Sequence, residues 1–349
     1  MIIPKNLLIV RTDRIGDVIL SLPLAPIIKK HYPECKITFL VRNYTKTLVE
    51  NNPYIDEVII LKEDKNKIRL KSNVEILSGF NFDSVVIVYP TFITALIIYL
   101  SKIEYRIGTG YRWYSWLFNQ KIFEHRKYAE KHELEYNVNL LSRFGIYEEV
   151  DPVSVNFHLE PDNVSLDKVH QILSRSDINL NEPVIIMHPG SGGSSVDLPQ
   201  MKFRSLAEKI SDELTDNIIL TGSEKEKYLC ENLKIKQRFL NLAGRLDLSE
   251  LIALISKSSI FISNSTGPIH IAAALGKYTV GFYPRIAACS EQRWGPYTNK
   301  KVVFTPKIKC SDCSREQCSR LDCMNSIEVN DIFYEIEKIY KFIQNDRRK

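Results

Sequence analysis

The chain has no dense block of lysine and arginine, no low-complexity tract and no apolar run that continues unbroken through the length of a membrane span. The first absence argues against a nucleic-acid partner, because a phosphate backbone is held by clustered cations. The formal charge of +5 over 349 residues is mild, and it remains compatible with an anionic substrate or an acidic lipid surface. The longest uncharged stretch lies between Asp83 and Lys102. Pro90 divides it and β-branched residues crowd its first half, so a buried strand followed by a helix is expected rather than a membrane span. The first apolar run reaches Arg11 and Asp13 too soon for a signal peptide, and a cytoplasmic location is expected. Several motifs are missing as well. No GxxxxGK[ST] loop, G-x-G-x-x-G turn, HExxH helix, DxD pair or Ser-His-Asp elbow is present, which weakens simple nucleotide-hydrolase, dinucleotide-binding and hydrolase readings.

What is present is a soluble α/β pattern, with 44% hydrophobic and 26% charged residues. The length suits two domains. β-rich runs at 6–10, 36–41, 57–61 and 84–88 surround an apolar-periodic helix over 17–31. After a proline-marked linker, 151–181, containing a helix at 166–174, the same grammar returns. Strands are expected at 183–187, 217–221, 239–242, 259–263 and 278–282, with helices at 201–214 and 248–256. The expected division is a first domain over 1–160, a second over 161–328, and a final amphipathic helix over 329–349 that packs back on the first domain.

Polar loops follow several strands, where open α/β sheets bind ligands. The first runs from Arg11 to Asp17, and Asp17, just after Gly16, can be either a catalytic carboxylate or an ordinary helix-start acid. The second, 188–195, carries Gly190, Gly192, Gly193 and four hydroxyl or imidazole side chains, and its amides suit a diphosphate as well as they suit a tight turn. The third, Asn264 to Gly267, opens a small-residue helix at Pro268. Ser265 or Thr266 can cap that helix, Gly267 admits close approach, and its start is a ready anion site. His270 reads as a phosphate neighbour or as a core histidine. Glu224 could accept bonds from ribose hydroxyls, and Arg245 and Leu246 could line a base pocket. Arg106, Arg112, Trp113, Tyr114 and Trp116 form a basic aromatic cluster, suited to an acceptor or to a folded surface loop.

Seven cysteines is an odd number, and Cys310, Cys313, Cys318 and Cys323 follow a C-x2-C-x4-C-x4-C spacing. Such a cluster can hold a metal through thiolates, but it lacks the second C-x2-C pair of a common zinc site.

The segments LIVRTDRIGDVILSLP at 8–23, MHPGSGGSSVDLP at 187–199, NLAGRLDLSELIALI at 241–255 and ISNSTGPIHIAAALG at 262–276, in this order, resemble glycosyltransferase family 9, the ADP-heptose:lipopolysaccharide heptosyltransferase group. The resemblance implies a GT-B fold, with two Rossmann-like domains facing across a cleft, the first binding the acceptor and the second the nucleotide-sugar donor. It implies an inverting transfer without metal or cofactor, to a lipid-linked glycan at or near the inner membrane. Asp17 matches the general base. Ser265, Thr266, Gly267 and His270 match donor contacts, with Ser191, Ser194, Glu224 and Leu246 near other donor positions and Arg11, Arg14 and Arg112 on the acceptor side. Two positions depart from the pattern. Val196, Asp197, Leu198 and Pro199 stand where many members have Lys-x-Trp-Pro, and Ser265 stands where the best-known members have aspartate. A GT-B enzyme using another nucleotide sugar is therefore the alternative, followed by a nucleotide-sugar epimerase or a non-catalytic sugar-nucleotide-binding protein.

Overall fold

The computed structural model describes residues 2–65, 67–233, 239–308, 313–320 and 322–347. The chain divides into two compact units, Met1–Leu159 and Glu160–Lys349.

In the first unit, β1 (Asn6–Val10), β2 (Lys36–Val41), β3 (Glu57–Ile60), β4 (Ser84–Ile87), β5 (Tyr105–Thr109) and β6 (Gln120–Ile122) form one parallel sheet in the order β3-β2-β1-β4-β5-β6. Its central strands are continuous apolar runs because helices cover both faces of such a sheet. Leu7 through Val10 are fully buried, with Ile9 opposite Phe39 on one side and Val86 on the other. The stretch divided by Pro90 forms β4 and then the helix Phe92–Leu100, as expected, and Thr91 and Thr94 cap it reciprocally. The helix expected over 17–31 is instead two, Ile15–Ile19 and Leu24–His31. Pro23 lacks an amide hydrogen, so the helix cannot run through. Asn137 instead donates to the Leu20 carbonyl at the break, at 2.9 Å.

The second unit repeats the plan. β7 (Ile185–His188), β8 (Ile218–Leu220), β9 (Leu240–Asn241), β10 (Ile260–Asn264), β11 (Tyr278–Phe282) and β12 (Lys301–Phe304) pair in parallel in the order β9-β8-β7-β10-β11-β12. The strands β5, β6 and β12, absent from the sequence reading, are short or carry exposed polar residues near a sheet edge, where no strong apolar period develops. The final helix, Val329–Arg347, packs Ile332, Phe333, Ile336 and Tyr340 into the core of this second unit beside Phe203, Leu206 and Ile210 of the helix Gln200–Glu213. Its apolar stripe matches a neighbour within its own unit, and that burial decides the placement. No helix among the described residues is long and apolar enough to cross a membrane.

Ile336 is fully buried in that core. Ile336→Ala should therefore lower stability by about 2–5 kcal/mol in denaturant unfolding. A loss under about 0.5 kcal/mol, the usual effect of a surface change, would mean that the helix is not part of the core.

Candidate functional site

In both sheets the strand order reverses direction between two central neighbours, β1 and β4 in the first unit, β7 and β10 in the second. Connections leave these neighbours toward opposite edges, so a crevice opens at their carboxyl ends, where ligands of doubly wound folds bind. The polar loops that carry the motifs emerge at these two points.

At the first, β1 delivers Arg11, which is fully buried. Its guanidinium pairs with Asp13 (Nε to Oδ1, 2.8 Å), with Asp17 through Nη2, and with Glu133 (Nη2 to Oε1, 3.6 Å). The Tyr89 ring lies 5.9 Å from the guanidinium carbon. Arg126 joins from the other side of Glu133 at 2.5 Å and donates to Asn137 Oδ1 at 3.0 Å. A guanidinium cannot shed its proton in a protein, so burying it requires carboxylates around it. Burial would lower the Arg11 pKa, but its three carboxylates outweigh that and raise it. Arg11, expected on the acceptor side, is thus enclosed by acids and pairs with Asp17. Asp13 pays for the crowding: burial, opposed by Arg11 and reinforced by the neighbouring Asp17, pushes its carboxyl up to about 7. Asp17 keeps a partly exposed carboxylate in the first turn of Ile15–Ile19, and Arg14 is exposed just before it.

At the second point, two loops are stitched together. Asn264, at the end of β10, donates to the Pro189 carbonyl at 2.6 Å and accepts from the Leu198 amide at 2.8 Å, and Ser194 Oγ donates to the Ser265 carbonyl at 2.8 Å. The helix Gly267–Ala274 follows. Thr266 is its N-cap residue, at φ −147° and ψ 164°, yet no side chain caps the helix. The capping expected of Thr266 is therefore not made, and a helix start without a side-chain cap can receive an anion. Ser265 and His270 are buried, while Thr266 and Gly267 are half-buried at the opening.

The glycine loop also differs from expectation. Glu226 Oε1 accepts the Gly192 amide at 2.9 Å, while its Oε2 accepts from the amide and hydroxyl of Ser223 at 2.9 and 2.7 Å. A Cβ at Gly190 would come 2.0 Å from Glu226 Oε1, which explains a glycine there. One amide expected to face a diphosphate is therefore occupied by a carboxylate. Burial pushes the Glu226 pKa up, but these bonds outweigh it and hold it below the usual range. His188 is driven down to about 4 by burial, against the pull of Glu226, so it is neutral with Nδ1 3.0 Å from Thr221 Oγ1. Sequence reasoning chose Glu224 and overlooked Glu226. Glu224 is exposed beside Gly244, 3.9 Å from Lys227, with half-buried Leu246 on the following turn. The signal for Glu226 was legible, since Ser223-x-x-Glu226 is a capping-box spacing.

Cys310 lies outside the described residues. Cys313, Cys318 and Cys323 gather with Cys289 around Ile286 and Val196. No group of three or more histidine, cysteine or acidic side chains suited to a metal occurs among the described residues.

Two six-stranded parallel sheets with one strand order, each with its polar loops at the reversal, define a protein of two Rossmann-like domains, as in GT-B glycosyltransferases. A family 9 glycosyl transferase of Veillonella parvula superposes with a TM-score of 0.81 at 17% identity, covering 96% of this chain and 97% of that one. The E. coli ADP-heptose LPS heptosyltransferase II gives 0.78 at 19% identity, with 97% and 99% covered. The model of glycosyltransferase family 9 (heptosyltransferase) matches residues 73–324, and the chain belongs to that family. It is similar to a lipopolysaccharide heptosyltransferase 1 of Campylobacter coli, with 26% identity over 95% of this chain and 98% of the relative. A putative glycosyltransferase of Haemophilus influenzae is 28% identical over 86% and 89%.

The raised Asp13 pKa sets a pH dependence. A carboxyl whose pKa is higher folded than unfolded stabilises the protein when protonated, and that stability is lost as pH rises from about 4 through about 7. Asp13→Asn should escape this loss, so its advantage in thermal unfolding over the unmodified protein should be larger at pH 8 than at pH 5. An advantage that does not change with pH contradicts a raised Asp13.

Proposed function

We propose that this glycosyltransferase moves heptose from ADP-heptose onto a lipopolysaccharide core or related lipid-linked surface glycan, inverting the anomeric centre and using no metal. The observation that carries the proposal is the coincidence of an end-to-end likeness to a lipopolysaccharide heptosyltransferase with an uncapped helix start at the second unit's reversal point. The first unit would bind the acceptor, with Arg14 and Arg112 as exposed cations, and the second the donor.

In this reading Asp17 takes the proton of the acceptor hydroxyl as its oxygen attacks the anomeric carbon opposite the nucleotide. Arg11 holds the Asp17 carboxylate in place before attack. Negative charge then builds on the departing diphosphate. The open amides at Gly267–Ala274 and the hydroxyls of Ser191, Ser194, Ser265 and Thr266 would face it, with His270 packed behind them. Glu224 and Leu246 would border the nucleoside. Ser265, together with Val196 and Asp197, favours a second reading in which the same machinery transfers a different nucleotide-activated sugar. A panel of nucleotide sugars offered to the purified protein decides between them. Turnover with ADP-heptose supports the first, and turnover only with another donor selects the second. Asp17→Asn should reduce transfer by about 100-fold or more while leaving the donor dissociation constant nearly unchanged. Retained transfer rules Asp17 out as base.

A lipid-linked acceptor calls for peripheral membrane contact. Phe92 and Tyr99, seven residues apart on the helix Phe92–Leu100, share one exposed face, stacked by Trp113 at 4.8 Å and met edge-on by Trp116 at 5.9 Å. Lys102, Arg106, Arg112 and Lys121 surround this strip, with Glu104 the one acid between Pro90 and Phe123. Exposed aromatics beside cations suit the headgroup region of an acidic bilayer. The protein should sediment with vesicles containing phosphatidylglycerol, and Tyr99→Ser with Trp116→Ser should abolish this. Equal sedimentation of the double variant would exclude the patch.

A further inference from the structure

The cysteine-rich tail is not explained by the reading above, and its place in the fold gives it a use. The helix Arg315–Arg320 buries Cys318, which packs with Cys323 against Ile286, and Val196 of the glycine loop packs on the same cluster. Arg315 lies three residues before Cys318, on the same helix face. That face is turned toward the loop, and Arg315 Nη1 donates to the Gly193 carbonyl at 3.1 Å. Gly193 directly precedes Ser194, whose hydroxyl ties the loop to Ser265 at the helix start.

The loop that receives this guanidinium lacks a cation of its own, because Val196 and Asp197 occupy its exit. Two hydroxyls beside it, Ser191 Oγ and Ser195 Oγ, are buried in residues only 6% and 7% exposed. Ser191 interacts with the Asp197 carboxylate and Ser195 with the Cys289 thiol, in each case acting to lower the acid's pKa. Asp197 itself is pushed up to about 6 by burial, against the Arg315 charge that acts to lower it. An anion placed at the glycine loop beside Gly193 would engage the remaining guanidinium donors of Arg315.

We infer that Arg315, held over the glycine loop by the packed cysteine tail, binds the diphosphate of the donor and supplies the cation that the loop itself lacks. This rests on the donor reading of the second unit, and the ligand class is a nucleoside diphosphate. Arg315 would then accept part of the charge that develops on the leaving group. A tail that is remote in sequence from the glycine loop thereby becomes part of the donor site.

Calorimetric titration of the full-length protein with ADP, UDP and GDP, and with the corresponding monophosphates, tests it. Loss of a charge-assisted bond to phosphate should weaken the diphosphate that binds best by about 10- to 100-fold in Arg315→Ala. The monophosphate should weaken less, and Arg315→Lys should recover part of the affinity. Asp197→Asn with Arg315→Ala separates ligand contact from simple charge balance. If the double variant stays weak, Arg315 acts on the ligand. If it binds as the unmodified protein does, Arg315 only neutralises Asp197 and the inference fails. Unchanged diphosphate affinity in Arg315→Ala also overturns it, whereas an unmodified protein that binds none of the three diphosphates removes the donor reading itself.

Discussion

A fully buried guanidinium at the end of the first strand organises the chemistry of the first unit. Arg11 keeps its charge wherever it is placed, so three carboxylates must be brought to it, and their mutual repulsion must then be tolerated. Burial, reinforced by Asp17, raises the Asp13 pKa, Glu133 also pairs with Arg126, and Asp17 is anchored at one oxygen at the head of a short helix. The Pro23 break that limits this helix and the Asn137 bond that closes it belong to the same local solution.

The second unit is arranged differently. There the polar loops meet a helix start that its N-cap side chain leaves without a hydrogen bond, rather than a buried cation. The bonds of Asn264 and Ser194 stitch the glycine loop to the segment that opens this helix. Glu226 takes the Gly192 amide, which fixes the shape of the loop at the expense of one donor.

Much of the scaffold was legible because parallel strands buried on both faces read as unbroken apolar runs. The segments that became β1, β2, β10 and β11 are of this kind. The short outer strands were not legible, since neither length nor alternation distinguishes QKI or YRIGT from loop. The site loops were found because glycine, serine and aspartate cluster after strands. The role of Glu226 was not found: it lies two positions from Glu224, and only folding shows that it closes the glycine loop while Glu224 is exposed.

By itself the sequence determined two repeats of an α/β plan, membership of a transferase family, and the positions at which polar loops would emerge. These depend on local pattern and motif order, which the chain carries directly. Tertiary structure decided which charges are buried, that Arg11 pairs with Asp17, that the last helix packs into the second core, and that Arg315 reaches Gly193. Each of these depends on desolvation or on contact between residues far apart in the chain, and neither quantity exists until the chain has folded.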